Sequence, residues 1–164
     1  MQTGDRELET IPGDTVAVRG LFDSSCGCET FSQRILHFGS GSSAERLDEG
    51  SDEVLYVLAG RGQAALAGES HELHPGTALY VGTGTAWSVE GVGELSILSV
   101  LIHGPAPGSR SHAALDLAER EAGGATAGRQ FRLLATPEVG CASVTQFVGY
   151  IPPGRAPDHF HKYD

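Results

Sequence analysis

Basic residues are scarce in this 164-residue chain: 11 lysines and arginines stand against 21 aspartates and glutamates, for a formal net charge of -10. Such a surface repels phosphates, which argues against nucleic acid and anionic membranes as partners. Long hydrophobic runs are missing too. The longest, Leu95 to Ile102, contains two serines and falls far short of the roughly 20 apolar residues that span a bilayer. The N-terminal Met1-Gln2-Thr3-Gly4-Asp5-Arg6-Glu7 has no basic stretch followed by an apolar one, so no secretory signal is expected. Cysteine is sparse and odd in number, with Cys26, Cys28 and Cys141 alone. Cys-x-Cys is awkward for a disulfide and supplies too few ligands for a zinc cluster, so reduced thiols in a cytoplasmic protein are expected.

What the chain has is glycine, 23 residues of it, set between short β-branched and aromatic segments. Thr15–Arg19, Thr30–Phe38, Glu53–Leu58, Gln63–Ala67, His71–Leu73, Ala78–Val81, Ala86–Glu90 and Glu94–Ile102 each read as a strand, and several alternate apolar with polar residues so that one face is buried. Strands of this length and spacing predict an all-β sandwich or small barrel. The pattern breaks at Gly104-Pro105-Ala106-Pro107-Gly108. Ser111 to Ala122 then has the alanine, leucine and charge content of a short helix, stopped by Gly123-Gly124. Phe131–Ala135 and Ser143–Ile151 are strand-like again.

These late strands repeat the early ones. A slide of 113 positions places Arg19 on Arg132, Leu21 on Leu134, Gly27 on Gly140, Cys28 on Cys141, Gln33 on Gln146 and Gly41 on Gly154. One extra residue in the first copy then brings Leu47 onto His159, Glu49 onto His161 and Asp52 onto Asp164. A duplication accounts for this, with one whole repeat and the start of another. His159 and His161, two apart and preceded by the turn-forming Pro152-Pro153-Gly154, would share one face of a strand, and neutral imidazole is the commonest metal ligand. The other histidines, His37, His71, His74, His103 and His112, are expected to be surface or capping residues.

The spacing of these residues resembles the cupin superfamily, and their arrangement resembles a bicupin. The first family motif runs Gly, five residues, His, one, His, three or four, Glu, six, Gly; here Gly41, Leu47, Glu49, Glu53 and Gly60 hold its places. The second runs Gly, five residues, Pro, one, Gly, two, His, three, Asn; here Gly76, Gly82, Gly84, Trp87 and Gly91 hold them. The resemblance covers residues 14–103 and restarts at 129. It implies an all-β, cupin-type double-stranded β-helix (jelly-roll) barrel over 14–103, a linker with a short helix over 104–128, and a C-terminal strand arm, 129–164, opening a second repeat.

A family site sets three histidines and one glutamate around iron, manganese, nickel, copper or zinc. Leu47 cannot ligate and Trp87 offers only an N–H donor, so no metal is expected in the first barrel. In the second repeat His159 and His161 restore the motif, and a divalent transition metal there would make the intact protein a non-haem enzyme of the dioxygenase, isomerase or decarboxylase kind. The alternative is a non-catalytic cupin that binds or senses a small molecule, with Glu49, Glu53, Tyr80 and Trp87 lining a pocket of the first barrel. A third possibility is a degenerate single-barrel protein ending at Asp164. The arm leaves unpaired strand edges, from which a homodimer or an arm-swapped assembly is expected.

Overall fold

The computed structural model describes residues 7–108, 111–124 and 128–153, and the fold is a jelly-roll barrel of two facing sheets. The larger sheet comprises β1 (Glu9–Thr10), β2 (Val16–Phe22), β3 (Phe31–Phe38), β10 (Leu95–His103), β5 (Ser51–Ala59), β8 (Thr77–Val81) and β11 (His112–Asp116), neighbours in that order. The smaller runs β4 (Gly41–Ser42), β9 (Trp87–Gly91), β6 (Gly62–Leu66) and β7 (Glu69–Leu73). A third sheet joins β12 (Gly123–Gly124), β13 (Gln130–Leu133) and β14 (Phe147–Tyr150). Among the described residues no helix is long and apolar enough to cross a membrane.

Strand alternation decides what each face meets. In β10 the residues Leu95, Ile97, Ser99 and Leu101 are buried, while the residues between them are half-buried. With Leu36, Phe38, Leu55, Val57, Leu79, Trp87 and Val89, Leu95 and Ile97 make the core between the two sheets; each such side chain contributes about 1.5–3 kcal/mol. β8 breaks the alternation because all five of its residues are buried. Leu79 and Val81 face the barrel core, whereas Tyr80 belongs to a second cluster with Val54, Ala135 and Cys141. The arm covers the outer face of the barrel sheet, so this strand has no solvent side.

Gly60 turns the chain between β5 and β6 at φ +89, and a Cβ there would fall on the Glu94 carbonyl oxygen. Positive φ and the close approach together require glycine.

The expected helix over 111–122 is replaced by β11, followed by a single 3-10 turn at Leu117–Glu119. His112 to Asp116 pair antiparallel with Val81 to Thr77. An isolated short helix is marginal in water, while the open edge of β8 offers five residues a ladder partner, so tertiary pairing overrides the helix-forming composition.

The sequence repeat has a structural counterpart. β2 and β3 pair Ala17 with His37, Val18 with Leu36, Arg19 with Ile35 and Gly20 with Arg34. β13 and β14 pair Gln130 with Tyr150, Phe131 with Gly149, Arg132 with Val148 and Leu133 with Phe147, the same register at the sequence offset. Each hairpin is closed by a 3-10 turn, Ser24–Cys26 or Pro137–Val139, ending on a left-handed glycine, Gly27 at φ 84 or Gly140 at φ 102. The turn hydrogen bonds also match: the amides of Cys26 and Cys28 donate to the Asp23 carbonyl, and those of Val139 and Cys141 to the Thr136 carbonyl.

Candidate functional site

β5 carries adjacent carboxylates on opposite faces. Glu53 shares the parity of the core residues Leu55 and Val57 and points into the barrel, where it is 4% exposed. The Arg34 guanidinium donates through Nη2 to its Oε1 at 3.1 Å and through Nε to Ser99 Oγ at 3.2 Å. Ser99 Oγ in turn donates to the same Glu53 oxygen. The triad is a closed arrangement in which the carboxylate charge already has its cation.

Asp52 points the other way and is 1% exposed. It accepts from Tyr80 at 2.8 Å, from the Thr83 amide and hydroxyl at 2.9 and 3.0 Å, and from Ser143 of the arm at 2.7 Å. Burial pushes its carboxyl up, but the bonds from Ser143, Thr83 and Tyr80 together outweigh that, and the group lies below the ordinary carboxylate value. Burial also raises the nearby Cys141 thiol, which suits a packing residue and not a nucleophile. None of Cys26, Cys28 and Cys141 is in a disulfide.

The four residues expected around one pocket are not brought together. Glu53 and Trp87 face the barrel interior, Tyr80 faces the arm with its hydroxyl on Asp52, and Glu49 lies exposed on the loop before β5. Leu47, at the place of the first family histidine, is 55% exposed. Trp87, at the place of the third, is 3% exposed and packs in the core. The Arg46 guanidinium lies 5.4 Å from the Trp87 ring centroid and 5.4 Å from that of Phe38, and it is held by Asp14 at 2.7 Å. A metal does not fit these residues, since Glu53 is bound to Arg34 and Ser99, Glu49 is exposed on the loop away from it, and the indole has no lone pair to give. Among the described residues no three histidines, cysteines or carboxylates stand together to hold an ion. His159 and His161 lie outside the described residues.

Sequence reasoning passed over Arg34, Arg46, Asp52 and Ser99. Arg34 carried a signal, because it shares the strand parity of the inward Leu36 and Phe38. Asp52 carried none beyond its neighbour Glu53. Two histidines expected at the surface also gain a carboxylate neighbour: Glu69 Oε2 lies 3.9 Å from the Nε2 of His71 on its own strand β7 and 3.8 Å from that of His112 across the seam to β11. His74 Nε2 lies 3.2 Å from Asp116 Oδ2 at the other end of that seam.

An apolar concavity lies on the third sheet, lined by Phe131, Leu133, Phe147, Gly149, Tyr150 and Ile151. At the repeat offset Phe131, Leu133, Phe147 and Gly149 match Val18, Gly20, Arg34 and Leu36, which face the interior of the barrel by their register with the core strands.

Residues 34–101 match the family model described as the cupin domain. No curated protein matches the sequence. Among solved structures, a Pseudomonas aeruginosa protein named as glyoxylate-induced superposes with a TM-score of 0.68 at 18% identity, covering 79% of this chain and 53% of its own. The Escherichia protein Ylba, from E. coli, gives 0.65 at 17% identity, with 82% of this chain and 63% of its own covered. A Thermotoga maritima protein named as a predicted oxalate decarboxylase gives 0.56 at 21% identity, with 62% of this chain and 96% of its own covered. The chain thus spans between half and two thirds of the length of the first and the E. coli protein, and these likenesses speak to the fold.

Proposed function

We propose that this chain is the first barrel and the opening strands of a two-barrel cupin whose chemistry resides in the second repeat. The observation that carries the reading is the hairpin β13–β14, which repeats β2–β3 in register and turn geometry but presents its barrel-lining face as an open apolar concavity. Such a face is expected to be closed by further strands of its own barrel. The first barrel, with Glu53 bound to Arg34 and Ser99, serves as structural support. His159 and His161 would ligate a divalent transition metal in the second barrel, and that metal would supply Lewis-acid or dioxygen chemistry on a small-molecule substrate of a cytoplasmic enzyme. The names of two structural neighbours support this class: one is a salicylate 1,2-dioxygenase from Pseudoaminobacter salicylatoxidans, and Mn(II) centres are named for the oxalate decarboxylase of Bacillus subtilis.

The test is elemental analysis of the purified encoded product. About one equivalent of a transition metal is expected, lost in H159A/H161A and unchanged in E53Q. Stoichiometric metal retained in H159A/H161A but lost in E53Q would place the site in the first barrel and overturn the reading.

A further inference from the structure

We propose that the cleft between the outer wall of the barrel and the arm binds a small neutral aromatic molecule carrying a hydroxyl group, and that this ligand clamps the arm onto the barrel. Both walls are in the structure, so the site goes beyond the two-barrel reading and does not depend on it. Tyr56 and Leu58 of β5 and Leu98 of β10 form one side, and Val144, Gln146 and Val148 of the arm form the other, around a volume of about 490 Å³. Tyr56 and Leu98 stand directly opposite each other in the β5–β10 ladder. They belong to the outer face of the sheet, because Tyr56 alternates with the inward Leu55 and Val57, so the cleft is separate from the barrel interior. Val144 packs against the sheet at one end. Beyond it the contact opens, and Leu58 and Phe147 are left 45% and 61% exposed.

The chemistry of the walls selects the ligand. No charged side chain lines the cleft, so an ion would lose its hydration there without gaining a partner. The Asp52 carboxylate lies two residues before Val54 on the same face and is buried; it disfavours an anion and is closed to a cation. Branched side chains and the Tyr56 ring suit a flat, rigid molecule, which loses little freedom on binding. Gln146 supplies the polar demand. Its Oε1 is buried with no hydrogen-bond partner among the described residues, an acceptor desolvated without a bond. A ligand hydroxyl between the walls would satisfy it once the carboxamide rotates toward the cleft, and the Tyr56 hydroxyl offers a second contact on the sheet side. Because one wall belongs to the arm, the ligand binds the docked arrangement and by mass action holds it closed.

The experiment uses the 164-residue chain and 2-naphthol at pH 7, with binding followed by calorimetry. Alkylation of Cys141, which is 0% exposed beneath the arm, is followed by peptide mass spectrometry. A Kd of about 100 μM is expected for a probe of this size, and at ten times that concentration Cys141 should react about tenfold more slowly. The anion 2-naphthoate should bind at least about tenfold more weakly. L98W, which fills the cleft, should abolish binding, and Y56F/Q146L, which keeps the shape of the walls, should weaken it about tenfold; F131A, on the third-sheet concavity, should leave it unchanged. Absence of binding, binding that survives L98W, or binding that leaves Cys141 as reactive as before would each overturn the proposal. Protection of Cys141 that rises with protein concentration in the absence of probe would assign the cleft to a second copy and overturn it as well.

Discussion

Replacing Asp52 with asparagine tests what fastens the arm to the barrel. The side chain keeps its shape, so no cavity opens, and the change isolates the charge and its acceptor capacity. Among the described residues four hydrogen bonds converge on the carboxylate, from Tyr80, Ser143 and twice from Thr83. A bond to a charged acceptor is worth about 1.5–3 kcal/mol, but the four do not add, since burying the charge has its own cost and the asparagine oxygen still accepts from about two donors. The net loss for D52N is then about 3 kcal/mol, which for a chain of this size lowers Tm by about 6–12 °C. Urea unfolding followed by the fluorescence of Trp87, the chain's single tryptophan, measures the loss. Because Ser143 is among the donors, alkylation of Cys141, 0% exposed beneath the arm contact, should accelerate in the folded state well before Trp87 is released. A loss under about 1 kcal/mol, or a Cys141 thiol as protected as in the parent, would refute the idea that Asp52 is the fastening.

The pH dependence follows from the same group. Its folded carboxyl lies below the ordinary value, so its contribution is fully present above about pH 4 and is lost as pH falls through the lower folded value; D52N should flatten that acid limb in a stability-versus-pH series. G60A places a methyl group against the Glu94 carbonyl at φ +89 and should cost about 3 kcal/mol or more, read as loss of soluble protein or a collapsed unfolding midpoint; a neutral variant would mean the β5–β6 corner is slack. R34A leaves Glu53 with Ser99 as its partner, and because the Arg34 side chain is 30% exposed the expected cost is about 1–2 kcal/mol. Adding E53Q to R34A should return part of that, since it removes the uncompensated charge; no recovery by urea titration would show that the pair acts through packing alone.

Much of the fold was legible because barrel strands write themselves as period-two patterns. Trp87 to Glu90 alternates apolar with polar in sequence and buried with less buried in the structure, and the family spacing from Gly41 to Gly60 carries across intact. The segment 111–122 was not legible, because its fate depends on the free edge of β8, a partner about 30 residues earlier in the sequence. The site was read least well. Spacing places Glu53 at the family's carboxylate position, and the structure does aim it inward, but spacing carries nothing about Arg34, which reaches it from β3. Tyr80 reads as a pocket aromatic, yet one step of strand parity turns it to the arm. The hydroxyl of Ser143 and the carboxylate of Asp52 are 91 residues apart, and no local pattern joins them.

That separation also sets an order of events in time. The hairpins β2–β3 and β6–β7 join near neighbours in the chain and can close within microseconds, whereas the arm contact must wait for a loop of 91 residues. During synthesis the barrel sheet through β11 emerges before Ala135, Cys141 and Ser143 do, and its face of Val54, Tyr80 and Val100 stays uncovered for several seconds at ordinary elongation rates. The nascent protein therefore passes through a stage with a finished interior and an apolar outer wall, and a chaperone or a neighbouring ribosome's product meets it there first.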